Sequence, residues 1–430
     1  MRSVLAAALG AALLGAAAAP AAVPDALPEP YATPSAVKLA RVVGWPADGA
    51  PRAPQNFRVT PFARGLDSPR SLLVLPNGDV LVAEARGFDA PPAGRPSVNR
   101  ITLLRDSTGS GVADQQHALI TELPRPYGLA LRRDRLYVGA SDAVYSCPFL
   151  VGQTRLHGEC KPLIELPDED GRGHWARNLA FSPDETALYI AVGSRTNVDE
   201  EHVDARVPER AAILVANPSG KSVRIYASGL RNPVGLAFEP ASGRLWTTVN
   251  ERDLLGDELV PDFLTSVADG AFYGWPYAYF GAHEDPRRRG ERPDLVARAV
   301  VPDFAIEAHA SPLGLAFYGR AQFPKAYRGG AFIALHGSWN RSSFSGYKVV
   351  FVPFAAGRPA GPAEDFLTGF IKDGGAGEVY GRPAGVAVAT DGALLVADDA
   401  GNTVWRVSFR CAACTPDPLP PGKAAHAAPR

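Results

Sequence analysis

Along the 430-residue chain one arrangement of apolar and polar positions keeps returning: a short polar or proline-containing lead, an apolar run, a turn, and a second apolar run that closes on polar residues. The first copy leads with Ser68-Pro69-Arg70, runs through Ser71-Leu72-Leu73-Val74-Leu75, turns at Pro76-Asn77-Gly78-Asp79 and returns as Val80-Leu81-Val82-Ala83-Glu84. The second pairs Arg125-Pro126-Tyr127-Gly128-Leu129-Ala130-Leu131 with Arg135-Leu136-Tyr137-Val138-Gly139-Ala140. The third runs from Trp175 to Phe181, turns at Ser182-Pro183-Asp184-Glu185 and returns as Ala187-Leu188-Tyr189-Ile190-Ala191-Val192. The fourth sets Arg231-Asn232-Pro233-Val234-Gly235-Leu236-Ala237-Phe238 against Arg244-Leu245-Trp246-Thr247-Thr248-Val249. The fifth sets Ser311-Pro312-Leu313-Gly314-Leu315-Ala316-Phe317 against Ala331-Phe332-Ile333-Ala334-Leu335, and the sixth Arg382-Pro383-Ala384-Gly385-Val386-Ala387-Val388 against Ala393-Leu394-Leu395-Val396-Ala397-Asp398.

Runs of this length, rich in β-branched and aromatic residues and bounded by Asn-Gly, Asp-Gly or Pro-Asp turns, predict strands joined as hairpins. A strand apolar on both faces is buried on both. Recurrence of such a unit every roughly 50 to 80 residues is the signature of blades around an axis, so six copies predict an all-β, six-bladed β-propeller. Two stacked sandwiches would not need the same Pro-x-Gly-Leu-Ala phrase to recur. The propeller domain is expected over residues 57–410. A Pro- and Ala-rich arm at 23–56 reads as a linker or loosely packed segment, and the tail at 411–430 has the same character.

Repeat position then becomes location. The lead residues of all six copies fall at one end of the axis, and the residues closing each second strand return to that end. The first ring holds Arg70, Arg125, Tyr127, His174, Arg177, Arg231, Asn232 and Arg382. The second holds Glu84, Asp142, Arg195, Asn250, Glu251, Arg252, Asp253, His336, Asn340, Arg341, Asp398 and Asp399.

Composition limits the partners. Lys and Arg number 44 against 45 Asp and Glu, a net charge of −1, which gives no global attraction to nucleic acid or an anionic membrane surface. Met1-Arg2-Ser3 followed by an apolar run over residues 4–19 has the form of a secretory signal, with cleavage expected near Ala19 or Ala22, and no other stretch reaches membrane-spanning length. A periplasmic or secreted protein follows as the expectation. The four cysteines suit such an oxidising compartment, and local pairs Cys147 with Cys160 and Cys411 with Cys414 are expected to staple the chain. In Cys411-Ala-Ala-Cys414 the residue that follows is Thr415, where haem attachment would require a histidine.

Several guanidiniums converging on one face of a near-neutral protein ask for a small carboxylated or phosphorylated ligand, unless each pairs with a nearby acid. The acidic stretch Asn250-Glu251-Arg252-Asp253-Leu254-Leu255-Gly256-Asp257-Glu258 suits a hard cation such as Ca²⁺, without the spacing of an EF-hand. Behind it, Tyr273-Gly274-Trp275-Pro276-Tyr277-Ala278-Tyr279-Phe280 opens a long insertion whose aromatics either pack against the blade rim or wall a sugar-sized pocket. His174, in Gly171-Arg172-Gly173-His174-Trp175-Ala176-Arg177-Asn178-Leu179, is either a base at the mouth of a buried strand or an ordinary loop histidine.

Taken in order, Gly173-His174-Trp175-Ala176-Arg177-Asn178-Leu179, Gly229-Leu230-Arg231-Asn232-Pro233, Asn250-Glu251-Arg252-Asp253 with Gly256-Asp257-Glu258, Tyr273-Gly274-Trp275-Pro276, His336-Gly337-Ser338-Trp339-Asn340-Arg341 and Arg382-Pro383 resemble the glucose/sorbosone dehydrogenases. These are soluble six-bladed quinoproteins that use pyrroloquinoline quinone, and the chain is most similar to their sorbosone and pyranose dehydrogenase branch. The resemblance implies that His174 is the general base toward a sugar hydroxyl while hydride passes to the quinone. It implies that Arg231, Arg382 and Arg341 hold the cofactor's carboxylates, with Arg231 also stabilising charge on the reduced quinone. Asn232 would hydrogen-bond the cofactor, and a bridging Ca²⁺ would be bound largely by backbone carbonyls near Arg252 and Asp253. It further implies a sugar or sugar-derived aldehyde as substrate and an external acceptor, a cytochrome or a quinone, for the electrons. An ortho-quinone tricarboxylate needs both a Lewis acid and guanidiniums, and a histidine among cations stays neutral and able to accept a proton. The soluble glucose dehydrogenases carry Asp before the histidine and Gly-Pro in the calcium loop, where this chain has Gly173 and Asp253-Leu254, which leaves the individual Ca²⁺ ligands and glucose itself open. The alternatives are a lactonase-type propeller hydrolase, with Ca²⁺ on axial carboxylates and no quinone, and a propeller that only binds a ligand.

Overall fold

A computed structural model describes residues 26–87, 96–168 and 173–410. The expected signal segment and the Cys411, Cys414 pair lie outside the described residues. Among the described residues the fold is all-β, with helix confined to short turns such as Pro293–Val296.

Six four-stranded antiparallel sheets follow one another. Five are built from strands in chain order, beginning with Pro69–Val74, Gly128–Arg132, Leu179–Phe181, Asn232–Phe238 and Pro312–Phe317, the last two with a two-stranded hairpin inserted before the outer strand. The sixth begins at Pro383–Val388, and its outer strand is Phe57–Arg64, which pairs antiparallel with Thr403–Phe409 from the other end of the chain. The recurring apolar phrase is the first strand of each sheet.

Every sheet shares one apolar core with the next. Leu81 and Ile101 of the first meet Leu129 and Val138 of the second, and so on around to Leu395 and Val404 of the sixth, which meet Val80 and Val82 of the first. The first strands touch in the same cyclic order, the sixth against the first. That contact accounts for the glycine in the phrase. A Cβ on Gly128 would stand 2.2 Å from the Arg177 carbonyl oxygen of the next sheet, and one on Gly385 would stand 2.3 Å from that of Arg70. Only glycine permits this approach.

In the first, fourth, fifth and sixth sheets the register shifts just after the leading proline, between Pro69 and Leu72, Pro233 and Leu236, Pro312 and Leu315, and Pro383 and Val386. Such bulges bend a strand end and re-aim its side chains. All four turn the lead residues toward the same end of the ring.

Two further features tie the chain together. The disulfide Cys147–Cys160 closes the hairpin from Ala143–Pro148 to Lys161–Glu165. The N-terminal arm, read from composition as loose, is bonded to three sheets in turn. Tyr31 N–H donates to Leu255 O at 2.8 Å and Lys38 N–H to Trp339 O at 2.7 Å, residues Arg41–Val42 pair with Glu378–Val379, and the Trp45 indole N–H donates to Asp398 at 2.6 Å.

Candidate active site

The lead residues converge on a cavity of about 940 Å³. From the two predicted rings, Arg70, Tyr127, His174, Arg231, Asn232, Arg382, Arg195, Asn250, Glu251, Asp253, His336, Asn340 and Asp399 line it.

His174 is fixed by the strand end opposite. Its ring Nδ1 stands 2.8 Å from Ser194 O and 3.1 Å from Ser194 Oγ. The Ser194 hydroxyl donates its own proton to Thr196 O at 2.7 Å, so both Ser194 oxygens act as acceptors toward the ring. Nδ1 therefore carries the hydrogen, which leaves Nε2 as a lone-pair acceptor with no hydrogen bond among the described residues. Burial, then the charge of Arg231, lowers the His174 pKa to about 3. Gly193 makes room for this geometry, because a Cβ there would lie 2.4 Å from Asn232 Oδ1 and 2.6 Å from His174 Cβ.

Arg231 is almost saturated by the protein. It donates to Asn197 O at 3.2 Å, Glu251 O at 2.7 Å and Asn197 Oδ1 at 3.1 Å, and forms an ion pair with Asp253 at 2.8 Å. Arg70 pairs with Asp399 at 2.7 Å, and Arg86 with Asp67. For these three cations the pairing with neighbouring acids already balances the charge. Arg382 differs: its guanidinium donates to the His336 and Gly337 carbonyls at 3.1 and 2.7 Å, with no carboxylate at ion-pair distance among the described residues. Asn232 Oδ1 is buried against the cavity and accepts no hydrogen bond among the described residues. A buried acceptor without a donor is uncommon and costs about 1–3 kcal/mol.

A second histidine completes the wall. His336 Nε2 lies 2.9 Å from Asp399, which also holds Arg70. Burial, then Arg382, lowers the His336 pKa to about 4. Burial alone would raise the Asp399 carboxyl, but His336 and Arg70 hold it far below the ordinary range.

The calcium-loop expectation meets a divided picture. Asp253 faces the cavity, but the Arg252 side chain lies beneath it, fully buried and paired with Asp285 at 3.1 Å. Burial raises the Glu251 carboxyl to about 7 and the Asp262 carboxyl well above its usual value. Among the described residues no group of three or more His, Cys, Asp or Glu converges on one point, so side chains alone make no metal cage there.

Other expected residues fall away from the cavity wall. Arg341 pairs with the exposed Glu258 and donates to Ala308 O at 3.4 Å. Arg177 is fully buried and donates to the carbonyls of His174 and Pro167, so it props the loop carrying the histidine. Glu84 and Asp398, at matching register in the first and sixth sheets, accept backbone N–H groups from Asp67 and Arg382 and support the strand ends. Arg125 and Asp142 also stand outside the lining. The aromatic insertion packs instead of walling a pocket: Tyr273, Tyr279 and Phe280 sit in the core between the third and fourth sheets, and the Trp275 indole N–H donates to Asn197 O at 2.8 Å.

Sequence reasoning missed Asn197, Ser194, Asp262, His309 and the arm residues Val37, Leu39, Ala40 and Val42, all part of the cavity or its immediate support. Asn197 lies beyond Val192, the third copy's equivalent of Glu84 and Asp398, so repeat position gave no signal for it.

The chain is similar to known proteins over most of its length. The Glucose / Sorbosone dehydrogenase family matches residues 139–338, and the TrAA12-like family residues 292–409. An uncharacterized protein of Borreliella burgdorferi is 29% identical over 305 residues, 68% of this chain and 78% of that one. The pyrroloquinoline quinone-dependent sugar dehydrogenase of Hypocrea jecorina is 26% identical over 337 residues, 67% of this chain and 74% of that one. The holo pyranose dehydrogenase PQQ domain of Coprinopsis cinerea superposes with a TM-score of 0.67 at 22% identity, over 85% of this chain and 99% of that domain.

Proposed function

We propose that the chain, which matches the glucose/sorbosone dehydrogenase family over residues 139–338, is an exported quinoprotein dehydrogenase of a sugar or sugar-derived aldehyde. We read its six sheets as the six blades of a closed β-propeller, sealed by the pairing of Phe57–Arg64 with Thr403–Phe409. One observation carries the assignment: a histidine with Nδ1 committed and Nε2 open shares a cavity with a guanidinium that lacks an acid and an amide oxygen that lacks a donor.

These residues fit a tricarboxylated quinone. Arg382 would hold a carboxylate, and Arg231, with most of its donors spent on the protein, would contribute charge at a fixed position. Asn232 Oδ1 would accept a hydrogen bond from the cofactor. Pyrroloquinoline quinone would supply the hydride acceptor and Ca²⁺ a Lewis acid, and backbone carbonyls near Arg252 and Asp253 would hold the cation. His174 Nε2 takes the proton from the substrate hydroxyl as the hydride departs, and the Ser194 carbonyl stabilises the imidazolium that results. Arg341 is outside the cavity lining and spends its guanidinium on Glu258 and the Ala308 carbonyl, so we assign the cofactor's carboxylates to Arg382 first. A carboxylate-caged lactonase site finds no support among the acids of the described residues. The N-terminal signal pattern and the disulfide favour export.

Purified protein supplied with pyrroloquinoline quinone and Ca²⁺ should reduce an artificial electron acceptor when given aldoses or sorbosone, and His174→Ala should abolish this without unfolding the protein. Failure to bind the quinone at micromolar concentration would overturn the assignment. A chelator that changes neither quinone affinity nor melting temperature would remove calcium from it.

A further inference from the structure

The N-terminal arm does more than tie sheets together. From Tyr31, bonded to Leu255, it runs past Trp339 to its pairing with Glu378–Val379, and on the way it forms part of the cavity wall. Val37 and Leu39 line the cavity and Lys38 between them does not. Lys38 turns one way and stands 5.3 Å over the Phe344 ring, while Val37 and Leu39 turn to the cavity mouth, 67% and 70% exposed. Trp339, whose carbonyl accepts the Lys38 N–H, lines the same mouth at 44% exposure.

Single exposed apolar side chains need no explanation, but a contiguous group on the rim of a cavity marks a binding surface. This one is preorganised, because backbone hydrogen bonds hold the arm on either side of it. An aliphatic pair beside an indole face suits the apolar face of a pyranose ring. The cavity, about 940 Å³, lies at the top of the roughly 300–1,000 Å³ range of small-molecule sites and is continuous with the rim, so a ligand longer than one sugar can reach from His174 to Leu39.

We propose that Val37, Leu39 and Trp339 form a second sugar subsite, which takes the ring of an oligosaccharide next to the sugar that reacts. The inference rests on reading the cavity as a sugar site, and it makes the arm a determinant of substrate length.

The test compares glucose with maltose and cellobiose on wild type, Val37→Ser, Leu39→Ser and the double variant. Equilibrium binding is measured by calorimetry without cofactor and again with quinone and Ca²⁺, beside KM, kcat and melting temperature. Wild type should bind at least one disaccharide more tightly than glucose. The double variant should weaken that disaccharide roughly tenfold in Kd and KM, the scale of lost apolar contacts in a pocket, with kcat and the constants for glucose unchanged. Equal effects on glucose and disaccharides, no effect on either, or an effect that follows the acceptor concentration would overturn the subsite. Wild type that binds no quinone would sink the dehydrogenase reading, while the cofactor-free disaccharide preference and its loss in the variants would still decide the subsite.

Discussion

The ring Nδ1 of His174 lies 2.8 Å from the carbonyl oxygen of Ser194, and this one contact sets the tautomer of the cavity's central histidine. Protonation of the ring would place a charge beside Arg231 in a desolvated site, which is why its pKa falls to about 3. In the cofactor-free protein the ring should therefore stay neutral from pH 7.5 to pH 4.5, and its NMR shifts should not titrate over that range. A midpoint near 6 would show that the site is open to bulk water.

Stability follows with a definite sign. The folded pKa of His174 lies below the unfolded value near 6.5, so its contribution is complete above that pH and is lost as pH falls toward 3, with a slope of at most about 1.4 kcal/mol per pH unit. The melting temperature of His174→Gln should accordingly drop less between pH 7 and pH 5 than that of wild type. Parallel drops would contradict the assignment. His336 acts with the same sign and remains in both proteins.

Arg231 and Arg382 should separate when each is replaced by alanine. Removing Arg231 strands Asp253 in the wall and frees the Glu251 carbonyl, so stability should fall by about 3 kcal/mol. Removing Arg382 strands no acid; quinone affinity should fall by roughly 10- to 100-fold, with a smaller loss of stability. Denaturant melts and quinone titrations on the two variants distinguish these outcomes, and an unchanged quinone affinity in Arg382→Ala would count against its role.

Gly193→Ala inserts a methyl group between Asn232 and His174, at 2.4 and 2.6 Å from their nearest atoms. Overpacking of this kind costs about 1–3 kcal/mol. A base displaced by even a fraction of an ångström loses alignment, so kcat should fall by about 10²-fold while the protein remains folded. A variant with normal kcat would show that the loop yields without moving the ring.

Replacing Cys147 and Cys160 together by alanine should destabilise the protein by about 2–4 kcal/mol. Reductant should bring the wild-type melting temperature down to that of the variant; a reductant-insensitive wild type would show that the bridge does not bear on stability.

How much of this was legible in the sequence can be judged residue by residue. The sheets were readable because neighbouring first strands approach closely enough to crowd a Cβ, so Gly128, Gly235, Gly314 and Gly385 recur in one phrase, with Ser71 and Asn178 in that place in the first and third sheets. The cavity end was readable because the lead position fixes where a residue sits. Repeat position does not fix which way a long side chain turns, and Arg177, Arg252 and Arg341 turned to carbonyls or acids away from the cavity. The arm was illegible for another reason: its docking rests on backbone hydrogen bonds made once each, which leave no periodicity in a stretch rich in Pro and Ala. Asn197 and Ser194 belong to a loop whose task is set by backbone geometry.

The pairing of Phe57–Arg64 with Thr403–Phe409 has a consequence for how the molecule is assembled. The sixth sheet cannot be completed until the chain beyond Thr403 has been made, so the contacts of greatest sequence separation form last, and such topologies fold slowly. Until then Thr403–Phe409 presents an open edge, and an open edge accepts any matching strand, including the Phe57–Arg64 segment of another molecule. Crowded refolding should therefore yield strand-exchanged dimers in which each copy finishes its neighbour's last sheet.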